Sequence, residues 1–556
     1  MERTWWKEAV IYEIYVRSFQ DSDGDGHGDL NGITMRLPYL KSLGVDAIWI
    51  TPIFASPLDD MGYDISDYTG ILDTFGTMED VDRLMAEANR LGIRVILDMV
   101  LNHTSDEHPW FMESRSSREN PKRDWYVWHP GKNGKPPNNW VSAFHGPAWT
   151  WDEHSGEYYL HQFSPKQPDL NWRHPEVRGA MFDMIRFWLN KGVAGLRLDM
   201  VNALVEDEQF RDNIWKDTRE AVDYSRLASN ISLDTENFVD RTRNQPETYA
   251  IVEALKREVL DPVGEIFTVG ESWPCSPEVA GELAGPGRLD VCFHFDFLDL
   301  GRRDLSEFRR IMNKWETSLE SRGPDAWNAW YLSNHDMPRS ASVFGSAKHP
   351  KESAVMLNCW LLTRRGTVFL YQGEEIGMTD IRYPGIEDYR DIMTINHYRK
   401  LLGDGMDPRT ALDTAAAASR DNARSPMQWD DGPGAGFTTG SPWLGINANH
   451  KWINVSGQLQ EDDSILARTR ELIMLRKSFP TLVYGAFRQV ETDSDRLDCV
   501  FREDGDHQFL VVLNFSEEPA RCRCLEECTG EAVFYSDQSS DSQVLGPFGA
   551  RIYQLR

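Results

Sequence analysis

Cysteine is scarce, with seven in 556 residues. An odd, scattered set does not read as a disulfide framework. Cys522, Cys524 and Cys528 lie close together, but no His or further Cys completes a standard metal spacing around them. Positive charge is short as well: 59 Lys and Arg stand against 88 Asp and Glu, a net charge of −29. Such a chain repels phosphate backbones, which argues against a nucleic-acid partner. No apolar run reaches the roughly 18 residues that a membrane-crossing helix needs, so no membrane partner is expected. The opening stretch MERTWWKEAV has neither the basic nor the apolar region of a secretory signal. Together these absences set the expectation of a protein of the reducing cytoplasm.

What is present is a large amount of ordinary core. Hydrophobic residues make up 40% of the chain, aromatics 11%, and there are 20 Trp. Trp fills cores, and it also stacks on flat apolar faces such as those of sugar rings. Short apolar runs recur along the sequence and read as strands: Val10 to Val16, Val45 to Ile50, Arg94 to Val100, Gly195 to Asp199, Glu265 to Gly270, Leu289 to Phe295, Trp327 to Ser333 and Thr367 to Tyr371. Helical patterns separate them. Val81, Leu84, Met85, Ala88 and Leu91 fall on one helical face before Gly92, a residue suited to ending a helix. Pro175 suits the first turn of another. Eight strand-then-helix units predict an α/β fold of the (β/α)₈ barrel type. The stretch 104–172 breaks the pattern and is too long for a plain connection, so it reads as an inserted subdomain. The expected division is a barrel over 1–103 and 173–480, that insert, and a small all-β domain over 481–556.

One acidic loop stands out before the second strand. Asp21, Asp23, Asp25 and Asp29 occupy positions 1, 3, 5 and 9 of a calcium-type loop with Gly26 at position 6, and the His27 carbonyl would be a fifth ligand. Position 12 is Gly32 rather than Glu, so the loop is not a complete EF-hand. It predicts a structural Ca²⁺, with Mg²⁺ as the alternative hard cation.

Charged residues at the strand ends carry the chemistry. The third strand holds Asp98 and runs into Asn102-His103; the fourth ends in Arg197 and Asp199, the fifth in Glu271, and the seventh in His335-Asp336. A barrel collects all of these at one mouth. Two carboxylates flanking a glycosidic bond are the minimum for its hydrolysis, one as nucleophile and one as proton donor. Arg197 is placed to keep Asp199 ionised. Glu271, in an apolar run, suits the proton donor, and Asp336 is left to stabilise positive charge.

The motifs DMVLNH (98–103), GLRLD (195–199), TVGE (268–271) and SNHD (333–336) resemble those of the α-amylase family of glycoside hydrolases. QPDLN (167–171), GYD (62–64), YQGEEIGMT (371–379) and NARSPMQWD (422–430) are similar to its oligo-1,6-glucosidase and α-glucosidase subgroup. The resemblance implies that Asp199 is the nucleophile, Glu271 the acid/base and Asp336 the transition-state stabiliser. It implies that His103, His335 and Arg197 hold the sugar or orient the acids, that Asp64 and Arg424 pair to grip its far hydroxyls, and that Tyr63 and Phe163 are stacking walls. The implied activity is a retaining exo-α-glucosidase acting on short oligosaccharides. Met200, after the nucleophile, replaces the Val that goes with α-1,6 links and the Ala or Thr that go with α-1,4 links; its bulk sides with Val. The segment from Phe297 to Phe308 is short and lacks the Arg-rich loop of sucrose isomerases. A transglucosidase or sugar isomerase is the alternative, and monomer and dimer both remain open.

Overall fold

The computed structural model describes residues 3–222, 238–323, 325–492, 494–525, 529–537, 539 and 541–555. Eight strands form one all-parallel sheet: β1 (Val10–Ile14), β2 (Ala47–Ile50), β3 (Arg94–Val100), β4 (Gly195–Asp199), β5 (Phe267–Glu271), β6 (Val291–Phe293), β7 (Ala329–Trp330) and β8 (Thr367–Tyr371). Their order in the sheet is β6-β5-β4-β3-β2-β1-β8-β7. The two ends curl toward each other. Just beyond β7, the Tyr331 hydroxyl donates to the His294 carbonyl just beyond β6 at 2.9 Å, and the Phe293 and Tyr331 rings meet edge-on at 4.9 Å. The result is the expected barrel, nearly closed. Its interior is filled by inward residues of the strands, among them Ile11, Trp49, Phe267, Phe293 and Phe369.

Helices α1 (Leu30–Leu43), α2 (Met78–Leu91), α3 (Pro175–Asn190), α4 (Pro246–Leu255), α5 (Pro277–Leu283), α6 (Leu305–Arg322), α7 (Pro350–Leu362) and α8 (Ile465–Ser478) follow the strands. Their ends show why they start and stop. Asp29 caps α1 by accepting from Gly32 N, and Thr77 and Asp80 form a reciprocal capping box on α2. Gly44 and Gly92 end these two helices in the left-handed conformation, at φ 98° and 67°. The expected strand Val10 to Val16 is shorter: it ends at Ile14, and Val16–Ser18 turns as a 3₁₀ segment. The seventh strand is shorter still, because the chain leaves the ladder after Trp330 to carry His335 and Asp336 over the barrel mouth.

Between β3 and α3 the chain folds a three-stranded antiparallel sheet (Trp128–His129, Trp149–Asp152, Glu157–Leu160) around Trp140 and Trp149. After α8, five antiparallel strands, β9 (Ala486–Gln489), β10 (Leu497–Glu503), β11 (Gln508–Asn514), β12 (Glu531–Tyr535) and β13 (Ala550–Leu555), form a second sheet. Buried arginines clamp it to the barrel: Arg502 donates to the Thr363 and Leu482 carbonyls, and Arg364 pairs with Asp498 at 3.2 Å. No helix among the described residues is long and apolar enough to cross a membrane.

Candidate active site

Arg197 is the electrostatic hub of the barrel mouth. It points inward from β4, and its guanidinium reaches three carboxylates from three adjacent strands: Asp98 on β3 at 2.8 Å, Asp199 at 2.7 Å and Glu271 on β5 at 2.5 Å. Parallel register places them together, since Asp98 pairs with Arg197 and Val100 with Asp199 across β3 and β4. All four side chains are buried. Three acids around one cation leave negative charge uncompensated, so the acids must differ in proton occupancy. Burial pushes Asp199 and Asp98 up to about 6 even beside Arg197. Burial raises Glu271 further, well above the usual carboxylate range, and the Asp199 charge adds to the rise. Arg197 therefore does not hold Asp199 low, as the sequence suggested; burial outweighs it. The order survives. Asp199 loses its proton first, and Glu271 keeps its own. Met200, in the left-handed region at φ 37°, turns its backbone N–H toward Glu271 at 3.2 Å.

Asp336 stands apart. Burial would raise its carboxyl, but the guanidinium groups of Arg424, Arg420 and Arg197 outweigh that and hold it well below its ordinary value. Arg424 Nη2 donates to it at 2.7 Å and Arg420 faces it at 3.5 Å. The neighbouring imidazoles are neutral: burial pulls His103 down to about 4 and His335 to about 3. His335 is fixed on both ring nitrogens, Nδ1 on Glu13 of β1 at 2.6 Å and Nε2 on the Tyr63 hydroxyl at 2.7 Å. Tyr63 also donates to Asp98 at 2.9 Å and stacks on His335 with ring centroids 5.4 Å apart.

These groups border a cavity of about 700 Å³. Asp199, Glu271 and Asp336 line it, as do Tyr63, His103, Phe163 and Met200. Phe144, Phe163 and Met200 form one apolar cluster on its wall, with Trp273 packed against them. Arg197, His335 and Arg424 sit behind the lining and act through the acids they touch.

The expected pairing of Asp64 with Arg424 is not what the structure shows. Asp64 lies under its own loop and accepts from Asp59 N at 2.8 Å, Asp60 N at 3.0 Å and the Ser56 hydroxyl at 3.0 Å. With its oxygens spent on the loop backbone it cannot face the cavity. Arg424 serves Asp336 and the His335 carbonyl. An ion pair in the cavity wall is instead Asp60–Arg420, at 2.8 Å, each partner four residues earlier in the chain. Asp391 at 2.7 Å holds the other side of Arg420, and Gln167 Nε2 links Asp60 to His103 at 3.1 and 3.0 Å. Sequence reading also missed Glu13 and Phe144. A charged residue at the centre of the apolar run VIYEIYV was the available signal for Glu13.

In the acidic loop, carboxylate oxygens of Asp21, Asp23 and Asp29 lie within 4.8 Å of one another. Asp25 is outside this group, and its Oδ1 accepts from His27 N at 2.7 Å. The His27 ring accepts from Arg17 at 2.9 Å. Gly26, at φ 96°, is obligatory in physical terms, since a Cβ there would fall 1.9 Å from the Ser441 carbonyl.

Comparison with known proteins agrees with this geometry. The sequence model of the alpha-amylase catalytic domain matches residues 13–485. The oligo-1,6-glucosidase of Parageobacillus thermoglucosidasius is 43% identical over the whole of both chains. The glucan 1,6-alpha-glucosidase of Streptococcus pneumoniae is 39% identical over 93% of this chain and 92% of its own. Among solved structures, the isomaltulose synthase of Klebsiella sp. LX3 superposes with a TM-score of 0.92 at 38% identity, covering both chains fully. With the barrel, the three strand-end acids and a match across most of its length, the chain belongs to the α-amylase family.

Proposed function

We propose that the protein is a retaining, exo-acting α-glucosidase that cleaves α-1,6 bonds of the isomaltose type at the non-reducing end of short oligosaccharides. The observation that carries the reading is the pair Asp199 and Glu271, held by one guanidinium at 2.7 and 2.5 Å. Inverting chemistry needs carboxyl groups about 6.5–9.5 Å apart to admit a water, whereas these two converge on the two terminal nitrogens of that guanidinium. Asp199 attacks the anomeric carbon as a carboxylate. Glu271, kept protonated by burial, gives its proton to the leaving oxygen and later takes one from water. Asp336, held ionised, faces the positive charge that develops on the sugar ring. Asp60 and Arg420 offer a charged, bidentate grip on the far hydroxyls of the terminal glucose. Met200, a bulky wall beside Glu271, and the oligo-1,6-glucosidase relatives both favour the α-1,6 link. Initial rates on isomaltose, maltose and sucrose, side by side, test this: isomaltose should be hydrolysed fastest.

A second reading keeps the glucosyl-enzyme and changes the acceptor, giving a sucrose isomerase or transglucosidase. The likeness to isomaltulose synthase favours it. A rearranged disaccharide from sucrose would establish it, and free glucose and fructose alone would exclude it.

The loop Asp21–Asp29 is proposed to hold one structural Ca²⁺ through Asp21, Asp23 and Asp29, converging carboxylates being what a hard cation requires. The cation's part is to fix the loop, which packs on residues 437–441 through Asp21 N to the Phe437 carbonyl and Thr438 Oγ1 to Asp21. We propose that the enzyme works in the reducing cytoplasm, in keeping with its few cysteines.

A further inference from the structure

A second set of chemistry-bearing side chains converges in the C-terminal sheet domain, far in sequence from the strand-end acids. Cys499 lies on β10, opposite Val512 of β11. Cys522 follows the short strand Ala520–Arg521, and Cys524 lies in the 3₁₀ turn Arg523–Leu525. Cys499 Sγ is 3.8 Å from Cys522 Sγ and 3.6 Å from Cys524 Sγ. Cys522 and Cys524 are joined as a disulfide. Cys499 and Cys522 are buried in an apolar cluster with Leu497, Leu510, Val512 and Leu545, and Cys524 is half-buried at its edge. The sequence spacing concealed this set, because its central member arrives from a strand 23 residues away. Cys528 lies outside the described residues.

We propose that these three cysteines, once the Cys522–Cys524 pair is reduced, form a binding site for one thiophilic cation, Zn²⁺. Tetrahedral zinc with Zn–S bonds of about 2.3 Å sets its sulfurs about 3.8 Å apart. Cys499 already stands at that distance from both partners. The chemistry balances simply. A dithiol reductant delivers two electrons and two protons to the S–S bond and is itself oxidised to a disulfide, leaving two thiols. Zinc then binds as three thiols lose three protons, because the thiolate is the ligand. Water fills the fourth position on the half-exposed Cys524 side. The two states differ in what they tie together. The disulfide closes a loop of three residues and fastens no separate element. The metal joins β10 to the 520–525 segment, closing a loop of more than 20 residues, and loop-closure stabilisation grows with loop length.

The test uses the full chain, reduced with a phosphine, stripped by chelator and returned to excess Ca²⁺, then titrated with Zn²⁺ and, as an optical probe, Cd²⁺. The expected result is one zinc retained per chain after gel filtration and an ultraviolet thiolate-to-cadmium band. Both should disappear in Cys499→Ser and in Cys524→Ser, with circular dichroism spectra and gel-filtration volumes unchanged to show that these variants fold. Cys359→Ser, outside the cluster, should retain both. Reduced wild type that keeps no zinc, or folded Cys499→Ser and Cys524→Ser that bind it as wild type does, would overturn the proposal. Metal uptake is read without reference to activity, so it stands or falls separately from the glucosidase reading.

Discussion

Arg420 and Asp60 form a buried ion pair at 2.8 Å in the cavity wall, and the same guanidinium faces Asp336 at 3.5 Å. Arg420 thus connects the sugar grip to the acid that steadies the transition state. Asp60→Asn or Arg420→Gln should lower kcat/KM on isomaltose by about 10²-fold, the cost of roughly 3 kcal/mol in charged hydrogen bonds. Asp64→Asn should stay within a few-fold of wild type, because Asp64 supports the loop rather than the substrate. Steady-state kinetics of the three variants decide between the two positions, and a larger loss at Asp64 than at Asp60 would restore the pairing read from sequence.

The carboxyl pair sets the pH dependence. Asp199 attacks only when ionised, so kcat/KM should climb as pH rises through about 6. Glu271 donates only when protonated, so activity should fall again at higher pH. The apparent values belong to the pair rather than to either residue. The effect on stability has the opposite sense. Both carboxyls have folded-state values raised above the unfolded ones, so the stability they confer is complete below about pH 4 and is lost as pH rises through the folded values. Asp199→Asn should therefore gain in Tm relative to wild type at pH 7 and show little gain at pH 4. A gain that is larger at pH 4 would contradict the assigned direction.

Glu13 makes a specific claim about His335. Its carboxyl group meets the ring Nδ1 at 2.6 Å and accepts from the backbone N at 3.3 Å, all within the core. Glu13→Ala strands a buried ring nitrogen and should cost about 1–3 kcal/mol of stability as well as activity. Glu13→Gln keeps a hydrogen-bonding group at that place and should lie between wild type and Ala in both. Thermal unfolding and kcat/KM, measured together, check the order.

Much of this site was legible before any coordinates. Strand ends in a parallel barrel gather at one mouth, and alternation fixes which side chains face inward; Arg197, Asp199 and Glu271 follow from those two facts, and Asp336 from its place just beyond the seventh apolar run. Barrel topology was legible for the same reason, since eight apolar runs alternate with capped helices. Asp60 and Arg420 were not legible, because both sit in irregular segments where turn geometry rather than periodicity decides which of two acids or two arginines faces the cavity. Glu13 was hidden inside an apolar run. Cys499 joins Cys522 and Cys524 only through strand register, a long-range relation that spacing does not encode.

Removing calcium should act on stability more than on turnover. A cation bound at a hundredfold excess over its Kd stabilises the folded state by about 2.7 kcal/mol. Chelation should lower Tm, and the loss should be absent in Asp21→Asn/Asp23→Asn, which removes two of the three converging carboxylates. An unchanged Tm in chelator would count against the loop as a cation site.

The roles of the two acids separate by substrate. Asp199→Ala should cost about 10⁴-fold or more in kcat. Glu271→Gln should cost roughly 10²–10⁴-fold on isomaltose and far less on an aryl α-glucoside whose leaving group needs no proton. Equal losses on the two substrates would remove Glu271 from the proton-donor role.

The central claim is a covalent glucosyl–Asp199 intermediate, and the configuration of the first product tests it most directly. Proton NMR during early turnover of isomaltose resolves the anomer of the non-reducing glucose as it is released. Double displacement at Asp199 predicts α-glucose first, with β-glucose growing in only at the rate of mutarotation. β-Glucose appearing first would mean a single displacement by water, and the account of Asp199 and Glu271 given above would be wrong.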